Sequence, residues 1–89
     1  MIQQITHIRV NNSDKTSTES ILEVKLASGE TRPIKTVIQY LSMGKKYFYF
    51  ASQAEATFIE AVYPIYKGAY IRSCDYDGVH DNLMTLPHF

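Results

Sequence analysis

The sequence predicts an α+β domain, with one helix packed on a curved and mostly antiparallel sheet, and three patterns carry that prediction. Residues 5–10 and 21–26 carry the two-residue alternation of a half-buried strand. Residues 33–43 change to the three- and four-residue offsets of an apolar helix face. Beyond them, aromatic and β-branched runs separated by turn-forming residues read as further strands. The expected order is β-β-α-β-β-β in a single domain over residues 1–89. A small open barrel, closed partly by the helix, is the alternative geometry.

In the first strand Thr6, Ile8 and Val10 fall on one face and His7 and Arg9 on the other. Asn11-Asn12-Ser13-Asp14-Lys15 then breaks the pattern, and the polar run to Ser20 makes the connection longer than a tight hairpin. In the second strand Leu22, Val24 and Leu26 share the apolar face while Glu23 and Lys25 stay wet. Ser28-Gly29-Glu30 supplies the next interruption.

The helix places Ile34, Val37, Ile38 and Leu41 on one stripe. Thr31 is the candidate N-cap, and Pro33 is tolerated in the first turn because the amide it lacks has no helical partner there. Gly44 ends the helix in a left-handed conformation, with Lys45 and Lys46 near the negative end of its dipole.

A third strand covers residues 46–51, where the aromatic run does not separate two faces by polarity. Ser52-Gln53-Ala54-Glu55 connects it to a strand over residues 57–63, in which Thr57, Ile59, Ala61 and Tyr63 alternate with Phe58, Glu60 and Val62. Pro64 stops the ladder, Lys67-Gly68 turns the chain, and residues 70–74 form the last strand. Asp75-Tyr76-Asp77-Gly78 is another turn. Asp75, Asp81, Asn82, Leu83, Leu86 and Pro87 then read as a structural C-terminal turn, with Asp81 and Asn82 organising the bend and Leu83, Leu86 and Phe89 as apolar pegs.

Several of these segments, taken in order, resemble a known family. They are Ile5-Thr6-His7-Ile8-Arg9, a central helix ending at Gly44 before Tyr47, Tyr70-Ile71-Arg72, and, after Asp75, Asp81-Asn82-Leu83 and Leu86-Pro87. Together they are similar to domain of unknown function 3892, a family of small bacterial proteins. The resemblance covers most of the chain, although Ser73 stands where the family's last strand tends to carry threonine. It implies a compact domain of the bacterial cytoplasm and supplies no catalytic role for any matching residue.

Composition narrows the function classes. Lysine plus arginine and aspartate plus glutamate number nine each, so the formal net charge is zero and whole-molecule steering toward nucleic acid is not expected. Lys35, Lys45, Lys46 and Lys67 read as solvated lysines rather than an anion-binding patch. Seven tyrosines and four phenylalanines argue against disorder. The single cysteine, Cys74, cannot close an intramolecular disulfide, which fits a reducing compartment. Residues 1–10 lack a signal-peptide pattern and residues 47–51 are too short to span a bilayer, so a soluble cytoplasmic protein with no membrane partner is expected.

The chemical constellations are incomplete. His7, His80 and His88 with Cys74 lack zinc-site spacing, and Asp75, Asp77 and Asp81 lack the spacing and closing glutamate of a calcium loop. Cys74 has no visible base or oxyanion-stabilising partner, and neither Gly29 nor Gly44 sits in a phosphate-binding motif. No enzymatic activity, metal or cofactor is expected, and an uncharacterised small enzyme ranks third among the functional readings. The first is protein binding, including homo-oligomerisation, through Arg9, Tyr47, Tyr49, Tyr70 and Arg72, with Tyr63 and Tyr66 extending the surface. The alternative is a nucleic-acid module in which the aromatics stack bases while Arg9, Arg72 and the lysines meet phosphates. Against both stands the plain expectation that aromatic residues anchor a small core.

Overall fold

A computed structural model describes residues 2–11, 17–50, 56–76, 78 and 81–89. Most of the expected turn after Asn11, the connection at 51–55, and the candidate ligands Asp77 and His80 lie outside the described residues.

Among the described residues the fold has six strands, one α-helix and two short 3-10 helices. The strands are β1 (Ile2–Val10), β2 (Ile21–Leu26), β3 (Thr31–Pro33), β4 (Lys46–Phe50), β5 (Ala56–Val62) and β6 (Tyr70–Ser73), and the helix α1 (Ile34–Ser42) falls between β3 and β4. The architecture is α+β, with the helix laid across a single sheet of order β3-β2-β1-β4-β5-β6. Among the six named strands the pairings are antiparallel except that of β1 with β4. The sheet is open among the described residues, with β3 and β6 as its edges.

β1 shows how two irregularities set its inward face. A register shift between Ile5 and His7 leaves Thr6 as an extra residue opposite β2, so Ile5 and Ile8 are both buried although three positions apart. Strict alternation from Ile8 does not reach Ile5. The bulged Thr6 is held by its hydroxyl, which donates to the Lys25 carbonyl at 3.2 Å and meets His7 Nδ1 at 2.9 Å. A second shift pairs Arg9 with Glu23 and Val10 with Ile21, leaving Leu22 as the extra residue on β2. Ile21 therefore joins Val24 and Leu26 inside, and Leu22, expected in the core, is exposed.

The expected N-cap Thr31 instead belongs to β3, a strand absent from the sequence reading. β3 pairs with β2 across a turn at Gly29, whose φ of +92° suits a residue without a side chain. Pro33 closes β3 at the sheet edge, where its missing amide removes no ladder bond to a further strand, and it also occupies the N-cap position of α1. Val37 is the buried centre of the helix stripe, flanked by half-buried Ile34, Ile38, Tyr40 and Leu41. At the other end Gly44 takes φ +88°, and the amides of Met43 and Lys45 both reach the Tyr40 carbonyl while that of Gly44 reaches Leu41. The crossover through α1 carries the chain past β1 and makes β4 parallel to it.

β4 stays beside β1 only along Ile2, Gln3 and Gln4. Farther along β1, the C-terminal tail takes its place. The Ile8 amide donates to the Pro87 carbonyl at 3.0 Å, and the Phe89 amide donates to the Ile8 carbonyl at 3.1 Å. The 3-10 helix Asn82–Thr85 before this tail sends Leu83 into the core, and Leu86 follows it inward.

Candidate functional site: the open face of the sheet

Charge parity decides which side of β4 and β5 meets solvent. Lys46 and Glu60 are half-buried or exposed on their strands, so residues two positions away share their side. Phe48 and Phe50 on β4 and Phe58 on β5 therefore lie on the face away from the core. Phe48 pairs with Gln4 of β1 on one side and with Phe58 of β5 on the other. The rings form a connected cluster. Phe48 meets Phe50 edge-on at 5.5 Å between centroids and Phe58 at 6.1 Å. Phe50 and Phe58 remain 40% and 41% exposed, so the cluster is a surface feature rather than a second core.

Charged residues border the cluster. The Lys46 ammonium sits 5.7 Å from the Phe58 ring centroid, a cation–π contact on an exposed ring. Glu60 is opposite Arg72 of β6, and Arg72 Nε donates to its carboxylate at 2.7 Å. Arg72 also lies 5.7 Å from the ring of Tyr76. Past the end of β5, the chain exposes Tyr63, and then Ile65 and Tyr66 at 90% and 95%.

The sequence-predicted residues scatter. Tyr70 and Arg72 belong to β6 on this open side, Tyr70 pairing with Val62. Arg9 lies on β1, tied to Glu23 at 3.2 Å and stacked 4.7 Å over Phe89. Tyr47 and Tyr49 point the other way and are 1% and 0% exposed, which places both rings off the open face. Their alternation partners Phe48 and Phe50 occupy the face that had been assigned to them.

Tyr49 instead joins a buried polar chain. Its hydroxyl lies 2.5 Å from Ser73 Oγ, and Ser73 donates from Oγ to Asp81 Oδ1 at 2.5 Å and from its amide to Asp81 Oδ2 at 2.9 Å. Asp81 also accepts the Leu83 amide at 2.9 Å, capping the 3-10 helix. One carboxylate thus fastens the C-terminal segment to β6. Burial pushes the Tyr49 and Tyr47 phenols above their ordinary range, and the Ser73 hydrogen bond opposes part of the shift at Tyr49.

The other chemical candidates are dispersed. Among the described residues no group of three or more histidine, cysteine, aspartate or glutamate side chains is placed to hold a metal. Burial, together with the charges of Glu60 and Asp75, raises the Cys74 thiol above its usual pKa, which disfavours the thiolate needed for nucleophilic attack. Lys67 is paired with Glu19, and Lys45 lies 4.6 Å over the Tyr40 ring. Lys35 is exposed on α1.

No curated protein and no solved structure matches the chain. A family model described as "Protein of unknown function (DUF3892)" matches residues 4–87, and the chain belongs to that family.

Proposed function

We propose that this member of the family is a non-catalytic protein-binding domain, and that the open face of its sheet buries itself against a second copy of the chain. The observation that carries the proposal is the Phe48–Phe50–Phe58 cluster on the side of the sheet that α1 does not cover. An apolar centre with a charged margin is the ordinary anatomy of a protein interface. The margin holds Lys46 on one side and the internally paired Glu60 and Arg72 on the other, a polar rim around an apolar centre that two copies related by a twofold axis can share. Zero net charge leaves no general repulsion between copies. A nucleic acid is less well suited, because Arg72 is already neutralised by Glu60 and the face offers few free cations for phosphates.

The protein acts, on this proposal, in the cytoplasm, where a lone cysteine stays reduced. No helix among the described residues is long and apolar enough to cross a membrane.

Sedimentation velocity over a wide concentration range tests the proposal. The expected result is a concentration-dependent dimer that Phe50→Ser combined with Phe58→Ser abolishes, while circular dichroism shows the fold intact. A monomer at every concentration overturns it. So does anisotropy showing that a single-stranded oligothymidylate binds the open face and that the same double variant weakens this binding.

A further inference from the structure

A second feature lies on the opposite side of the sheet, where the C-terminal end of α1 stands over β3, β1 and β4. A cavity of about 210 Å³ opens there, lined by Gln3, Arg32, Tyr40, Lys45, Lys46 and Tyr47. Arg32 and Lys45 bring cationic side chains and none of the six residues is acidic, while Lys46 borders the cavity with its ammonium lying near the Phe58 ring on the open face. The convergence depends on the fold, because Arg32 comes from the short edge strand and Lys45 from the turn after Gly44. Gln3 and Tyr47 are register partners on the parallel β1–β4 pair, which sets them side by side in the cavity floor.

Tyr47 adds a phenol to the cationic lining. Its ring is almost wholly buried, and among the described residues no side-chain polar atom is both sealed from solvent and unpartnered. Tyr47 lines the cavity, where a phenol hydroxyl is able to donate a hydrogen bond to an anion. The negative end of the helix does not oppose an anion strongly here. The Tyr40 and Leu41 carbonyls at the end of α1 are already occupied by the amides of Met43, Gly44 and Lys45.

We propose that this cavity binds the phosphoryl group of a small phosphate monoester. Arginine supplies a planar fork for phosphate oxygens, lysine a mobile point charge, and the phenol a fixed neutral donor. The size agrees: the cavity is smaller than the roughly 300–1,000 Å³ of a drug-sized site, so it takes a phosphoryl group on a short stem rather than a nucleotide. Glu30 is the built-in competitor. Its carboxylate holds Arg32 Nη2 at 3.0 Å while Arg32 Nη1 donates to the Thr31 carbonyl at 3.1 Å, so a bound phosphoryl group must share or displace Glu30. Apart from Lys46, which borders both, this site shares no residue with the open aromatic face, and it stands or falls separately from self-association.

The experiment is a titration of the full chain, followed by amide NMR shifts, with inorganic phosphate and with glycerol phosphate at ionic strength held constant by chloride. Saturable shifts around Gln3, Arg32, Lys45 and Tyr47 are expected with both probes. Tyr47→Phe, which keeps the buried ring, should weaken binding about tenfold, the usual effect of losing a hydrogen bond to a charged group. Glu30→Gln should strengthen it about two- to fivefold by removing an exposed competing charge, an effect that a merely structural role does not produce. Lys35→Gln should leave it unchanged. Absence of saturable shifts with either probe overturns the proposal, as does a folded Tyr47→Phe protein with undiminished affinity.

Discussion

Replacing Asp81 by alanine should destabilise the protein far more than an ordinary substitution at a partly exposed site. Its carboxylate accepts three hydrogen bonds, from Ser73 Oγ, the Ser73 amide and the Leu83 amide. After the substitution Ser73 Oγ still has the Tyr49 hydroxyl, but the two amides belong to buried residues and lose their acceptor. An unsatisfied buried donor costs about 1–3 kcal/mol, and water entering at the half-exposed Asp81 position favours the lower part of that range. The expected loss is about 2–4 kcal/mol. For a domain of this size that lowers Tm by roughly 10–25 °C. Thermal and urea unfolding followed by circular dichroism at neutral pH measure it directly. Ser73→Ala and Asp81→Ala should combine less than additively, because they remove parts of one network. A loss below about 0.5 kcal/mol for Asp81→Ala, within the range of an unremarkable surface change, would refute the claim that this carboxylate fastens the tail to β6.

Three further outcomes follow from named contacts. Gly44→Ala has open space for its methyl group but must hold φ +88°, so it should cost about 1–2 kcal/mol; an unchanged urea midpoint contradicts that. The raised Tyr49 phenol favours the neutral form in the folded protein, so its contribution to stability is full below the ordinary phenol value of about 10 and is lost as pH rises through the higher folded value. The wild-type absorbance titration at 295 nm minus that of Tyr49→Phe isolates this group, and a midpoint at or below the ordinary value is the contrary result. Cys74, with its thiol pushed up by burial and by Glu60, should react with iodoacetamide more slowly at pH 7 than free cysteine does; an equal or faster rate contradicts the assignment.

Much of the fold was legible in linear pattern, because period is a local property. The helix stripe from Ile34 to Leu41 needed no long-range information, and β2 and β5 were recognisable as strands although the buried face of neither was. β3 was hidden because Thr31, Arg32 and Pro33 are too few to show a period, and because threonine two residues before the helix also suits a cap. The parallel β1–β4 pair was hidden for a different reason, since pairing partners are set by the crossover rather than by either strand. The two bulges that bury Ile5 and expose Leu22 break the alternation on which the reading relied.

The aromatic face illustrates a missed signal. In Lys46-Tyr47-Phe48-Tyr49-Phe50 the rings alone do not reveal which parity faces the core, and the hydroxyls make the tyrosines the more obvious binding residues. The charge of Lys46 does reveal it: a lysine that must stay wet carries Phe48 and Phe50 to the wet side with it. Glu60 does the same for Phe58 on the neighbouring strand. The cavity at Tyr47 had no comparable linear trace, since Arg32 and Lys45 are brought together only by the turn of the chain through α1.

Amide shifts recorded while a ¹⁵N-labelled sample is diluted test self-association through the open face most directly. Concentration-dependent shifts confined to β4, β5 and the adjoining part of β6 are expected, vanishing in the Phe50→Ser, Phe58→Ser protein. Spectra that do not change with concentration, or changes centred on α1 instead, would contradict it.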